Sequence, residues 1–392
     1  MQATLPEPSA AEQAHSARLR AHIAAEIEQA GGFLPFDRYM ELALYAPGLG
    51  YYVAGAHKFG PGGDFVTAPE LSPLFSRCLA RQCAQVLGRF RRSACVLELG
   101  AGSGRMAADV LAELERLDCL PDHYYILEPS PELRQRQRAT LAAAVPHLLG
   151  SVRWLDGLDG LALHGVVLAN EVADALPVQR FRHDEDGLFE LGVAARDGAL
   201  VAAERPAGEA LAARVAALRA DLADPWPTPY VSELSPRLAP WLAALAAALA
   251  EGVLLFIDYG YPRREYYHPQ RASGTLLCHY RHRALDDPLA RVGLQDITAS
   301  VDFTALAEAG TAAGLDLAGY TTQAHFLLGN GLEALFAAAA GDDLRQQVEL
   351  ARQVKLLTLP SEMGERFQVM AFAKGIDSPL QGFALRDLRF RL

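Results

Sequence analysis

The sequence predicts an α/β protein built on a doubly wound, mostly parallel sheet, with an N-terminal helical cap and helical insertions. Three observations carry this. From residue 71 onward, short apolar runs alternate with helical stretches of about ten to fifteen residues, the pattern of βαβ units with right-handed crossovers. The first of these runs ends in a glycine-rich turn that opens a helix. The 392 residues are 51% hydrophobic and 21% charged, the composition of a folded chain with a sizeable core, which excludes disorder and fibrous repeats.

Near the N-terminus, Leu19, Ile23 and Ile27 repeat at four-residue spacing and form one apolar helix stripe. Residues 36–45 form a second short helical pattern after Gly31 and Gly32. Residues 46–73 are crowded with glycine, proline and aromatics, as in an ordered functional loop or lid. A helix over 71–90 then precedes a strand at 94–99, a helix at 105–117, a strand at 124–127, a helix at 131–144 and strands near 152–155 and 165–169. Residues 178–194 read as a hairpin turning at 184–187, and alanine-rich helices follow near 208–222 and 236–250. The strongest later strand is expected at 253–258 and a further strand at 367–373, and no internal repeat is present. The expected divisions are a cap and lid at 1–75, an α/β core at 76–205, a helical insertion at 206–251, and the rest of the sheet with accessory insertions at 252–392.

Lysine and arginine number 36 against 47 acids, a net charge of −11, and the arginines are scattered, so nucleic-acid binding is not expected. The five cysteines form no C-x-x-C pair, so neither a disulfide framework nor a zinc site is expected. The first 28 residues lack an apolar signal core and carry four glutamates, and the longest apolar stretch, 238–250, is too short to span a bilayer. These features predict a cytoplasmic chain with no membrane insertion. The alanine-rich helices either pair two chains as a homodimer or cover the sheet.

The strand at 94–99 runs into Glu98-Leu-Gly100-Ala-Gly102-Ser-Gly104. Glycines allow a tight turn and close approach of backbone to a ligand. A nicotinamide loop would place its third glycine at 105, where this chain has Arg105; the acidic-x-G-x-G-x-G spacing instead resembles motif I of class I S-adenosylmethionine-dependent methyltransferases. Glu128 closes the next strand, where an acid accepts from both ribose hydroxyls. Asp156 either faces the adenine or sits in a solvated turn. After the fourth strand, Asn170, Glu171 and Asp174 either cap a helix or position the methyl acceptor, and the two roles are compatible. In the preceding loop, Asp64, Thr67 and Glu70 either make local turn bonds or close over the methionine end of the cofactor. Tyr259, Tyr261, Tyr266 and Tyr267 with Arg263 and Arg264 read equally as a protein-recognition surface or a folded loop.

Gly63-Asp-Phe-Val-Thr67-Ala-Pro-Glu70, the glycine loop, Asn170-Glu-Val-Ala-Asp-Ala-Leu-Pro-Val178, Ile257-Asp-Tyr-Gly260 and Asp296-Ile-Thr-Ala-Ser-Val-Asp-Phe303 together resemble the MidA family of class I methyltransferases. The resemblance runs from about residue 32 to 374 and departs at Ala101, Val172, Ala173 and Ser300. It implies a Rossmann-like class I methyltransferase fold and S-adenosyl-L-methionine as cofactor; on the cysteine and histidine spacing no metal is expected. The resemblance also implies methylation of arginine in a protein partner, with a respiratory complex I subunit as the target of the mitochondrial relative. The other readings are a cofactor-binding assembly protein with little turnover and a small-molecule methyltransferase.

The chemistry constrains the residues. Deprotonating a guanidinium in water at pH 7 costs on the order of 7 kcal/mol. Carboxylates that hold the guanidinium on one side leave the opposite nitrogen the better nucleophile. Glu171 and Asp174 are the candidates, with Glu70 as a third. His268, His279 and His282 lack ligand spacing.

Overall fold

A computed structural model describes residues 6–54, 67–90, 93–341 and 343–392. Asp64, with residues 55–66 of the expected loop, lies outside the described residues. The chain divides into two compact units, each assembled from separated segments: Met1–Phe65, Asp174–Arg237 and Arg263–Ser300 form one, and Val66–Ala173, Leu238–Pro262 and Val301–Leu392 the other. The contiguous divisions expected from the sequence do not coincide with these units.

The second unit is an eight-stranded sheet flanked by helices. Its strands are β1 (Ala94–Leu99), β2 (His123–Leu127), β3 (Val152–Leu155), β4 (Leu163–Asn170), β5 (Leu249–Tyr261), β6 (Asp316–Thr322) and β7 (Phe367–Lys374), with Val301–Asp302 beside β5. The order is β6-β7-β5-β4-β1-β2-β3. β3 through β5 run parallel, and β7 is antiparallel to both β5 and β6. Strand order reverses between β1 and β4, and in such sheets the ligand crevice lies at the carboxyl ends of those strands. Every residue of β1 is buried, as a central parallel strand requires.

Helices α1 (Pro73–Leu87), α2 (Arg105–Arg116) and α3 (Pro131–Ala144) belong to this unit. Of the helix expected over 71–90, Pro73–Leu87 is helical and Leu71 ends the separate short helix Ala68–Leu71. Ser72 is extended, with φ −156°, and its hydroxyl caps α1 by accepting from Leu74 N at 3.3 Å. Pro73 then occupies the first turn, where no amide donor is needed. β5 begins at Leu249, four residues before the expected start.

The first unit holds the N-terminal helices Ala10–Gln29 and Phe36–Tyr45. The former opens with a capping box between Ser9 and Glu12 and buries Leu19, Ile23 and Ile27 as the stripe predicts. The expected hairpin is present as Gln179–Asp184 and Gly187–Arg196. It is part of a five-stranded sheet that also takes in Leu34–Pro35, Ala199–Pro206 and Tyr230–Leu234. Glu233, fully buried, accepts from Tyr266 OH at 3.1 Å and from Thr275 N and Oγ1 at 2.6 Å each. Tyr266 and Tyr267 are buried in this unit, so these two belong to the folded loop and not to a recognition surface.

Candidate active site

At the carboxyl end of β1, Gly100, Gly102 and Gly104 adopt φ of +60°, +53° and +84°. These left-handed values are steric outliers for residues with a Cβ, which is why the turn is built from glycine. Gly100 N donates to Leu127 O at 3.0 Å, fixing the turn to the end of β2. Glu98 is buried within β1 and accepts from Tyr124 OH at 2.5 Å. Burial pushes its carboxyl up to about 7; the Tyr124 bond opposes this and the Glu128 charge adds to it.

Glu128, at the end of β2, is also buried, and its Oε1 accepts from Ser130 N at 2.9 Å. Glu70 lies on the short helix Ala68–Leu71, which Thr67 opens; the Ser103 hydroxyl of the glycine turn donates to Glu70 Oε1. The structure therefore brings Glu70 to the turn. The Asp156 side chain is 93% exposed and pairs with Arg134 at 2.7 Å; Arg134 Nε also donates to the Glu128 carbonyl at 2.5 Å.

β4 ends at Asn170, which is buried. Its Nδ2 donates to Glu171 Oε1 at 3.1 Å, while its Oδ1 is buried with no hydrogen-bond partner among the described residues. Glu171 follows with φ +53°, a left-handed conformation uncommon for a residue with a side chain. Its amide donates to Ile257 O at 2.9 Å. No helix begins here, so the capping alternative for Asn170 is not what the structure shows. Asp174 belongs to the first unit, where it is buried and its carbonyl accepts from Ala299 N at 3.0 Å.

Sequence reasoning gave Asp258 no role, yet its Oδ2 accepts from Ala173 N at 3.0 Å and its Oδ1 from Tyr259 N at 2.9 Å. The available signal was an acid ending an otherwise apolar strand, Val253-Leu-Leu-Phe-Ile-Asp258. Among the described residues no cluster of His, Cys, Asp and Glu could hold a metal ion. No described helix is long and apolar enough to cross a membrane.

The donor set suits a nucleoside: glycines bare of side chains, buried Glu128 next to them, and the buried, unpartnered Asn170 Oδ1. A seven-strand path with one reversed strand and this turn at its switch point defines a class I S-adenosyl-L-methionine-dependent methyltransferase. The family model for S-adenosyl-L-methionine-dependent methyltransferases matches residues 78–321, and the chain belongs to that family, whose MidA-like members the sequence resembles. It is 28% identical to protein arginine methyltransferase NDUFAF7 of Danio rerio, over 88% of this chain and 85% of that one. Against the Drosophila melanogaster homologue the figures are 28%, 95% and 88%. A crystal structure from Burkholderia thailandensis bound to S-adenosyl-homocysteine is 48% identical, covers 99% of this chain and 100% of its own, and superposes with a TM-score of 0.93. The cofactor is S-adenosyl-L-methionine.

Proposed function

We propose that this methyltransferase modifies arginine in a protein, with Glu171 as the carboxylate that engages the guanidinium. The observation that carries this reading is the left-handed Glu171, next to an unpartnered buried amide oxygen at the end of β4. A strained residue persists only where its surroundings over-determine it, and such residues cluster at functional sites. The names of the relatives support the arginine assignment.

The bound cofactor supplies an electrophilic methyl on a sulfonium. This chain's task is to orient donor and acceptor and to exclude water. The glycine turn offers backbone, Glu128 accepts from the ribose hydroxyls, and Glu70, tied to Ser103, borders the same turn. Glu171 holds the guanidinium through charge-assisted hydrogen bonds and keeps its positive charge on the bound side, so the outer nitrogen is left to attack. Asn170 Nδ2 holds the Glu171 carboxylate in turn. The five unpaired cysteines are in keeping with a cytoplasmic location. A respiratory complex I subunit, the target that the resemblance implies, is the first protein to test.

The test is transfer of radiolabelled methyl groups from S-adenosyl-L-methionine to lysate proteins, with mass spectrometry of methylarginine. Wild type labels protein arginine and Glu171→Ala does not. A wild type that binds S-adenosyl-homocysteine yet labels no protein overturns the arginine assignment; it leaves a small-molecule acceptor, if label enters that fraction, or a binding role if it does not.

A further inference from the structure

Helix α3 buries Leu133, Gln137 and Leu141 at four-residue spacing, so an amide sits in the middle of an apolar stripe. Gln137 is fully buried, and its whole amide is engaged. Nε2 donates to Glu128 Oε2 at 3.2 Å and to Gly102 O at 3.1 Å, and Oε1 accepts from Trp154 Nε1 at 2.8 Å. The orientation of the amide follows from its partners: reversed, it would set an oxygen against a carboxylate and a carbonyl, and an NH2 against the indole N–H. One turn further on, Thr140 Oγ1 donates to Ser103 O at 2.8 Å. The helix lies so close to the turn that a Cβ on Gly104 would sit 2.9 Å from Gln137 Cα. The Arg138 guanidinium lies over the face of the Trp154 ring, 3.9 Å from its centroid.

We infer that Gln137 is a positioning residue for cofactor binding, aiming the Glu128 carboxylate at the ribose hydroxyls and locking it in register with the glycine turn. This rests on the reading of Glu128 as the ribose acceptor. The choice of an amide has a physical reason. A cationic partner would neutralise the carboxylate that the hydroxyls must donate to, and a second acid would add to the repulsion that Glu128 already exchanges with Glu98. An amide orients the carboxylate and leaves its charge in place.

The experiment compares dissociation constants for S-adenosyl-homocysteine and for its analogue lacking both ribose hydroxyls. Wild type prefers the natural ligand by tenfold or more, since a site built to bond hydroxyls rejects the ligand without them. Glu128→Gln reduces that preference below threefold. Gln137→Met, of similar volume, cuts the preference at least threefold while affinity for the dihydroxyl-free analogue stays within twofold. Trp154→Phe keeps an aromatic side chain without the N–H that fixes the amide, and halves the preference; it serves if Gln137→Met does not fold. Equal weakening of both ligands in the Gln137 and Trp154 variants, or an unchanged preference, overturns the inference while the Glu128 reading stands. Should wild type fail to distinguish the ligands, or Glu128→Gln keep the full preference, the Glu128 reading itself falls.

Discussion

The carboxylate of Asp258 accepts a hydrogen bond from the Ala173 amide at 3.0 Å and so ties β5 to the turn after β4 that carries Glu171. The other carboxylate oxygen is held by the Tyr259 amide, so the group has a fixed direction.

Removing that acceptor leaves a buried N–H unsatisfied, at a cost of about 1–3 kcal/mol. Asp258→Ala is expected to lower methyl incorporation at least tenfold while the dissociation constant for S-adenosyl-homocysteine stays within threefold, because the glycine turn and Glu128 follow β1 and β2. Asp258→Asn keeps an acceptor oxygen and recovers part of the activity. Rate and binding measurements on the three proteins decide it; equal loss of both in Asp258→Ala would contradict the local role.

Glu171 makes an unusual stability prediction. At φ +53° a Cβ is strained by about 1–2 kcal/mol and glycine is not. Glu171→Gly is therefore expected to be more stable than Glu171→Ala by about 1 kcal/mol, the reverse of the order inside helices and strands. Both variants lose methyl transfer. Denaturant midpoints of the pair would refute the strain argument if alanine proved the more stable.

Glu98 gives a pH signature. Its folded-state pKa is raised by burial from 4.5 to about 7, so the folded state holds a proton that the unfolded state releases. The contribution is fully present below pH 4.5 and is lost as pH rises through 7. Relative to Glu98→Gln, which does not titrate, wild-type stability should decline across this window by on the order of 3 kcal/mol. Unfolding curves for the two proteins at several pH values test the sign; a wild-type stability that rises with pH relative to Glu98→Gln would be inconsistent with a raised pKa.

Glu233 is predicted to act on stability. Glu233→Ala strands the Thr275 amide and takes the carboxylate acceptor away from the Thr275 and Tyr266 hydroxyls, which are 3.1 Å apart and keep their bond to each other. Losing this buried cluster is expected to destabilise the first unit by at least about 3 kcal/mol. Calorimetry should show a lowered transition; an unchanged midpoint would mean water replaces the carboxylate.

Much of the α/β unit was readable in the chain. The helix at 131–144 and the strand at 152–155 fall where apolar periodicity and proline put them, because local pattern and tertiary role agree there. The first unit was less legible. Ala199–Pro206 is alanine-rich and helical by composition, yet it pairs with Gly187–Arg196 along its whole length. Tyr230–Leu234 carries Ser232 and Glu233, and only burial against its partner strand makes it β. Gln137 drew no reading from the sequence: its four-residue spacing from Leu133 and Leu141 gives no indication of what the amide would meet.

The amino-acid order alone determined the parallel sheet, the glycine turn after its first strand and the acid after its second, since each depends on short-range pattern: period, turn chemistry and strand end. Which distant groups meet is a property of the packed chain. Asp258 reaches Ala173 across 85 residues, and Ser103 reaches Glu70 across 33. The left-handed Glu171 likewise depends on strand β5 beside it, whose Ile257 carbonyl takes its amide. Those partners are fixed by sheet register and helix approach, which no local stretch of residues encodes.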